Sequence, residues 1–228
     1  MAAPEFELVI GDKNWSSWSL RPWLLMRQAG IPFQETSIRL RSPDTKSQIL
    51  VHSPTGFVPA LKWRGVVIGD SLAICETIAD LFPGKKLWPK DALARALARS
   101  ACSEMHSGFQ AIRRDMPMAV LERHNGEGHT EEALASARRV IELWRALRGR
   151  FGRQATEDQG FLFGHFTVAD AMFAPVVTRF ETYGVNLGAL GDDGMVRAYM
   201  DAILTLPSMR DWIAGAEAEE KEKAAATA

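Results

Sequence analysis

Cysteine is scarce in this chain, which has only two cysteines among 228 residues. Cys75 and Cys102 lie far apart in the sequence, so they form neither a disulfide framework nor the closely spaced pair of a zinc site. The histidines also lack the spacing of metal ligands outside one glycine-rich loop. We therefore expect no bound metal and a reducing compartment.

The chain also lacks a strong charge of either sign and a long hydrophobic run. Its formal net charge is -1, which argues against an electrostatic attraction to nucleic acid or to an anionic membrane. No stretch of about 18 apolar residues is present, and the N-terminal residues show no basic region followed by an apolar one. These absences predict a cytoplasmic protein that binds neither nucleic acid nor membrane.

Hydrophobic residues make up 46% of the chain, which is ample for large buried cores. Residues 1–82 alternate between strand-like and helix-like segments in the order βαβ-ββα. A helix between the first two strands requires those strands to be parallel. The Arg64-Gly65 pair between two later strands predicts a two-residue hairpin turn. The first part of the chain is therefore expected to be an α/β domain.

Residues 83–90 form a linker rich in proline, glycine and lysine, and residues 91–228 are expected to form an all-helical domain. Helical spacing occupies residues 91–122 and 131–151. A third helix is expected after Thr167, because Asp170 follows three residues later as in a capping box. From about residue 217 the composition of Ala, Glu and Lys predicts a frayed helix or a disordered tail.

A serine-rich turn, residues 14–22 (NWSSWSLRP), follows the first predicted strand. The first N–H groups of a helix have no intrahelical partner and carry the positive end of the helix dipole. This turn is therefore a place to bind and ionise a thiol. Alternatively, a serine at this position is an ordinary helix N-cap.

Further along the chain, a Val58-Pro59 pair precedes a strand, and Asp70-Ser71 precedes a helix. Together with the serine-rich turn, these features resemble the N-terminal, thioredoxin-like half of the soluble glutathione transferases. The serines resemble most the serine-using zeta (maleylacetoacetate isomerase-like) branch, whose pattern is Ser-Ser-Cys-Ser. Trp18 stands where that branch has its cysteine. The resemblance implies a thioredoxin-like domain followed by a helical domain, glutathione as co-substrate, and a homodimer.

In that family, a side chain at the start of the first helix donates a hydrogen bond to the glutathione thiolate. Tyr183 and Tyr199, the only two tyrosines, lie in the helical half, and no cysteine precedes the third predicted helix. Ser16 matches the first serine of the zeta pattern, so the resemblance implies that Ser16 is the catalytic donor. Ser17 and Ser19 are the alternative donors. If Ser16 is the donor, Ser17 is expected to contact glutathione.

The resemblance also implies which residues hold glutathione. A cis Val58–Pro59 bond would present the backbone of Val58 to the peptide backbone of glutathione, like an added strand. The Ser71 hydroxyl would hold the γ-glutamyl carboxylate and Asp70 its ammonium, although both residues are also typical helix caps. His52 lies where the family's loop often contributes, but a lone loop histidine is more often simply solvated.

The family places a helix of the second domain beside the thiol. Met105 and Phe109 lie four residues apart on that predicted helix. With Trp18 and Arg113 they are predicted to line an electrophile pocket that is apolar with a cationic rim. A stripe of this kind is also typical of a helix core, and Arg113 is equally typical of a solvated face. If Arg113 does face the site, a carboxylate on the second substrate fits.

The sequence therefore predicts a detoxifying glutathione transferase, in which glutathione thiolate attacks an electrophilic carbon of a small apolar or carboxylate-bearing substrate. Two alternatives stay open. One is a glutathione-dependent isomerase or dehalogenase of a small carboxylic acid. The other is a non-catalytic interaction module with the same fold.

Overall fold

The computed structural model describes residues 5–227; residues 1–4, on which the expectation about a leader rests, and residue 228 lie outside the described residues. The first part of the chain has the predicted order of strands and helices, with one additional short helix between the second and third strands. These elements are β1 (Phe6–Gly11), α1 (Ser17–Gln28), β2 (Gln34–Ile38), α2 (Thr45–His52), β3 (Ala60–Trp63), β4 (Val66–Gly69) and α3 (Ser71–Leu81).

The strands form one mixed sheet in the order β2-β1-β3-β4. β1 and β2 are parallel, as a helical crossover requires, whereas β3 pairs antiparallel with both β1 and β4. Arg64 and Gly65 both have positive φ, at 46° and 78°, as a tight hairpin turn demands. The predicted α/β arrangement is confirmed.

Beyond a short 3₁₀ turn at Pro83–Lys85, the chain is helical with long connections. Its helices are α4 (Ala92–Ser107), α5 (Gln110–Asp115), α6 (Glu131–Leu147), α7 (Val168–Thr182), α8 (Met195–Leu204) and α9 (Pro207–Thr227). The predicted capping box of α7 is present, since Thr167 and Asp170 satisfy each other's backbone N–H groups. α1 packs against both α7 and α3 and so joins the two halves of the molecule.

The prediction of one continuous helix over residues 91–122 is wrong. The chain breaks between α4 and α5, where Phe109 has a φ of 57°. A Cβ atom on Gly108 would lie 2.6 Å from the Glu104 carbonyl oxygen, so this turn needs glycine. The Arg113 side chain donates to the carbonyl oxygens of Met105 and Gly108 and thereby satisfies groups that the end of α4 leaves free. Met105 and Phe109 consequently do not share one helix face with the residues of α5.

Of the two expectations for the tail from about residue 217, a frayed helix or a disordered segment, the structure has a helix. Residues 217–227 continue α9, and two of their side chains contact the loop between β1 and α1. Glu219 accepts a hydrogen bond from the Lys13 backbone N–H at 2.8 Å, and Lys223 forms an ion pair with Asp12 at 2.9 Å. Ala, Glu and Lys are strong helix formers, so the composition suits a helix once these contacts hold it in place.

A pH-dependent contact links the loop after α5 to the end of α7. His124 Nε2 lies 2.7 Å from Glu122 Oε2, its Nδ1 lies 3.3 Å from Glu127 Oε2, and its ring stacks on Tyr183. Hydrogen bonding to Glu122, and then to Glu127, raises the pKa of His124. Folding therefore shifts the protonation equilibrium of His124 toward the imidazolium.

We expect the melting temperature to reflect this histidine. A group whose pKa rises on folding stabilises the fold fully below its unfolded pKa, about 6.5, and loses that contribution as the pH rises through the folded pKa. The melting temperature of the natural protein should therefore exceed that of His124→Gln by more at pH 5.5 than at pH 8.5. Thermal unfolding of both proteins across this range measures the effect. Parallel pH profiles would contradict it.

Candidate active site

A cavity of about 550 Å³ opens beside the first turns of α1 and α3. Its wall comes from α1, from the loop between α2 and β3, from the end of β4 and from the start of α3. The residues that line it are Trp18, Thr55, Phe57, Val58, Pro59, Gly69, Asp70 and Ser71. The cavity therefore brings together three segments that the sequence analysis selected separately.

Asp70 lies at the corner where β4 leads into α3, and its φ is 72°. Its Oδ1 accepts hydrogen bonds from the backbone N–H groups of Leu72 at 2.8 Å and Ala73 at 3.1 Å, so Asp70 is the N-cap of α3. Its Oδ2 lies 3.2 Å from Nε2 of His106, and the side chain is 45% exposed. One carboxylate oxygen is thus occupied by the helix, and the other contacts His106 but remains accessible from the cavity that Asp70 lines.

Ser71 is fully buried next to Arg21, whose Nη1 donates to the Ser71 Oγ at 3.1 Å. Because a guanidinium can only donate, the Ser71 hydroxyl keeps its own proton for another acceptor. Burial lowers the pKa of Arg21 to about 9, which still leaves the guanidinium charged at neutral pH. This arrangement favours an anion beside Ser71.

The Val58–Pro59 peptide bond is cis, as the sequence analysis predicted. Both residues line the cavity opposite the start of α3, and the neighbouring Phe57 lines it with a ring that is 71% exposed. The backbone of Val58 is therefore next to the space that an extended peptide would occupy.

The serines of the first turn are buried at the start of α1. Ser16 is the N-cap residue of α1, yet its side chain makes no capping hydrogen bond. Its Oγ instead donates to Ser19 Oγ at 2.7 Å, which also accepts from the backbone N–H of Gly11 at 3.1 Å. Ser16 and Ser17 are each 6% exposed and Ser19 is fully buried. Within the described residues, none of the three is among those that line the cavity.

Trp18 is the α1 residue that reaches the cavity wall. The guanidinium carbons of Arg21 and Arg113 lie 4.2 Å and 4.8 Å from the centre of its ring, and the His106 ring meets it edge-on at 5.2 Å. Cations at these distances are attracted to the indole. The residue that stands in place of the branch's cysteine is thus a tryptophan held by three basic side chains.

The other predicted pocket residues lie outside the cavity lining. Met105 is fully buried in the core, and Phe109 occupies the break between α4 and α5. Arg113 is committed to the end of α4, where its Nε donates to the Gly108 carbonyl oxygen at 3.1 Å, and to its contact with Trp18. Among the four residues assigned to the electrophile pocket, only Trp18 lines this cavity.

His52 lies at the end of α2, beside the sheet. Its Nδ1 is 2.8 Å from the Lys62 ammonium and 3.8 Å from a carboxylate oxygen of Glu7. These neighbours place His52 in a charged cluster with strands β1 and β3. The structure does not bring it to the cavity lining.

Sequence reasoning assigned no role to Arg21 or His106, although both contact residues that line the cavity. Arg21 could have been noticed as a single charge within the apolar start of α1, since a charged residue in such a position is buried only with partners. His106 offered no such signal, because its partner Asp70 is 36 positions away in the sequence.

No group of three or more possible metal ligands lies close together among residues 5–227. Over the same residues, no helix is long and apolar enough to span a membrane.

Comparison with known families agrees with the fold. Residues 15–81 match the family model of the glutathione S-transferase N-terminal domain, and residues 119–202 match that of the C-terminal domain. The chain belongs to the glutathione S-transferase family.

Within the family, the chain is similar to proteins of the zeta class. It is 27% identical to the maleylacetoacetate isomerase of Rattus norvegicus over 174 residues, which cover 75% of this chain and 76% of the relative.

The chain is also 23% identical to a stringent starvation protein A homolog of Haemophilus ducreyi over 208 residues, or 91% of this chain and 89% of the relative.

Solved structures show the same fold. A glutathione transferase homolog from Burkholderia with bound glutathione superposes with a TM-score of 0.68 at 20% identity, covering 94% of this chain and 98% of that one.

Proposed function

We propose that this protein binds glutathione in the cavity, ionises its thiol at the start of α1 and transfers the thiolate to an electrophilic carbon of a small apolar or carboxylate-bearing substrate. The observation that carries the proposal is the convergence of Val58-Pro59 and Asp70-Ser71 on one cavity beside the serine-rich turn. A cytoplasmic location and a role in detoxification belong to the same proposal.

The two charges of the γ-glutamyl end find opposite partners at the start of α3. Its carboxylate accepts a hydrogen bond from the Ser71 hydroxyl. The oxygen of that hydroxyl already accepts a hydrogen bond from Arg21, so its proton is available for the ligand. The N–H groups at a helix N-terminus also favour this carboxylate. Its ammonium binds the accessible oxygen of Asp70. The backbone of Val58 then pairs with the middle of the tripeptide, which directs the cysteinyl part toward α1.

Ionising the thiol near neutral pH requires a modest free energy. A thiol with an ordinary pKa of about 8.5 needs a shift of about 1.5 units, which is about 2 kcal/mol. A hydrogen bond to a charged group contributes about 1.5–3 kcal/mol, and a helix terminus about 0.3–1 kcal/mol. One donor is therefore sufficient. Ser16 supplies it by turning its hydroxyl from Ser19 to the sulfur.

A homodimer is also part of the proposal. β4 is an edge strand of the sheet, and its residues Val66 and Val67 are 54% and 38% exposed. Leu93 in α4 and the cavity residue Phe57 are exposed as well. Exposed apolar groups on a strand edge are a liability unless another surface covers them, which supports association with a second copy.

Isomerisation or dehalogenation of a small carboxylic acid is the second candidate reaction. Similarity to maleylacetoacetate isomerases favours it. Against it, Trp18 removes the thiol that the zeta pattern has at this position. Turnover of a small haloacid compared with an uncharged aryl halide distinguishes the two reactions.

A non-catalytic interaction module with the same fold is the third candidate. A module that binds no glutathione has no evident need for Val58-Pro59 and Asp70-Ser71 in the same cavity. The test is retention of the protein on immobilised glutathione at a salt concentration that removes charge adsorption, followed by elution with free glutathione. Failure to be retained would favour the module.

A further inference from the structure

Three consecutive polar residues are buried in the loop that joins β1 to α1. Asp12, Lys13 and Asn14 are only 2%, 7% and 3% exposed. Buried polar and charged groups are costly unless they are paired. The partners of this loop show what fixes the chain immediately before Ser16.

Lys13 is held mainly by Glu219, near the C-terminal end of α9. One carboxylate oxygen of Glu219 accepts from the Lys13 backbone N–H at 2.8 Å, and the other accepts from its ammonium at 3.2 Å. The Lys13 carbonyl oxygen accepts from the indole N–H of Trp212, also in α9, at 2.9 Å. Glu35 of β2 binds the same ammonium.

The residues on either side of Lys13 are held in the same manner. The Asp12 carboxylate forms an ion pair with Lys223 of α9. The side-chain oxygen of Asn14 accepts from the backbone N–H of Leu121 at 3.1 Å, and its amide donates to Glu122 at 3.3 Å. Residues of the helical part therefore bind three successive residues of a loop that belongs to the α/β part.

Backbone hydrogen bonds connect this loop directly to the start of α1. The backbone N–H of Ser16 donates to the Asp12 carbonyl oxygen at 2.8 Å, and that of Trp15 donates to the same oxygen at 3.1 Å. A shift of residues 12 and 13 consequently moves the first residue of the helix. Among the described residues, the hydrogen bonds of residues 12–14 do not involve the cavity residues Val58, Pro59 and Ser71.

We propose that Glu219 is a positioning residue for the thiolate: by holding both the backbone and the ammonium of Lys13, it fixes the loop that sets the place of the Ser16 hydroxyl. The inference rests on the proposed function of Ser16. It assigns a role in the reaction to the end of α9, which contributes no residue to the cavity lining among the described residues.

The test compares Glu219→Ala and Glu219→Gln with Glu217→Ala, a change at an exposed position of the same helix. The Gln variant keeps an acceptor for the Lys13 N–H but loses the charge, so its effect should lie between the other two. Lys13 keeps Glu35 as an ionic partner in all three variants, so the ammonium is not left unpaired and the fold should survive.

For Glu219→Ala we expect kcat at neutral pH to fall about 10-fold, since small misplacements of reacting groups cost up to about 100-fold. The pKa of bound glutathione should rise, whereas KM for glutathione should change less than about twofold, because the γ-glutamyl contacts lie elsewhere. Amide hydrogen exchange in residues 12–20 should speed up in Glu219→Ala and not in Glu217→Ala.

Unchanged kcat, thiol pKa and exchange in a folded Glu219→Ala protein would overturn the inference and leave the proposed function intact. A rise in KM equal to the loss in kcat/KM, with an unchanged thiol pKa, would also overturn it, because that result indicates a general loosening of the cavity. Failure of the proposed function is recognised separately, by the absence of a glutathione thiolate in the unmodified protein.

Discussion

Glutathione affinity should fall about 100-fold or more in the double variant Asp70→Asn, Ser71→Ala. The first change removes the carboxylate charge that meets the ligand ammonium, and the second removes the hydroxyl that donates to its carboxylate. Each hydrogen bond to a charged group contributes about 1.5–3 kcal/mol. Asp70 is 45% exposed, so solvent screens its contribution. We therefore use the lower value, about 1.5 kcal/mol, for each of the two hydrogen bonds. Their sum of about 3 kcal/mol corresponds to a loss of affinity of about 100-fold. Titration calorimetry with glutathione measures the change.

Asparagine at position 70 is chosen to keep α3 intact. Asn caps helices about as well as Asp and tolerates the positive φ that Asp70 adopts, so the variant separates ligand charge from capping. Asp91→Ala is the matched control, because Asp91 caps α4 by accepting from the Ala94 N–H at 2.8 Å and lies outside the cavity lining. If the double variant binds glutathione as tightly as this control does, the γ-glutamyl end of glutathione does not bind at Asp70 and Ser71.

Ser16→Ala should raise the pKa of bound glutathione by about one to two units. In the free protein the Ser16 hydroxyl donates to Ser19, so turning to the sulfur exchanges a neutral hydrogen bond for one to a charge. The difference is about 1.4–2.7 kcal/mol at 1.36 kcal/mol per unit. Because the thiolate is the nucleophile, turnover near neutral pH should fall about 10- to 100-fold where chemistry limits the rate. Affinity for the neutral thiol should change little.

Ser17→Ala and Ser19→Ala are the controls for this assignment. Ser19 is fully buried, so its hydroxyl orients Ser16 rather than reaching a ligand, and its loss should have a smaller effect on the pKa. Should Ser17→Ala raise the pKa while Ser16→Ala does not, the donor is the neighbouring residue. Should no serine matter, the N–H groups of α1 hold the sulfur.

Most of the α/β part could be predicted because its signals are local. The alternation of strands and helices, the Arg64-Gly65 turn and the paired residues Asp70-Ser71 each specify a short piece of backbone through sterics or capping. These pieces then assemble in the way that strand pairing and crossover rules allow.

The helical part was harder to predict, because its decisive interactions are side-chain contacts that helical periodicity does not reveal. At the break before α5, Arg113 donates to the carbonyl oxygens of Met105 and Gly108. The end of α9 instead contacts a loop far earlier in the chain: Glu219 accepts from the backbone N–H of Lys13, 206 positions before it. Read alone, its Ala, Glu and Lys composition fits a disordered tail as well as a helix.

The candidate site shows the same difference between residues with a local sequence signal and residues that act through tertiary contacts. Val58, Asp70 and Ser71 were selected from the sequence and do line one cavity. Arg21 and His106 were not selected, because each acts on a cavity residue through a tertiary contact. The helical stripe with Met105 proved to be core, as apolar stripes usually are.

Ultraviolet titration of glutathione bound to the protein tests the central claim most directly. The proposed function predicts thiolate absorbance that appears with a midpoint near pH 7, about 1.5 units below the value expected for the free thiol. The midpoint should move back toward the free value in Ser16→Ala. Bound glutathione that titrates like the free thiol, or no binding at all, would contradict the account.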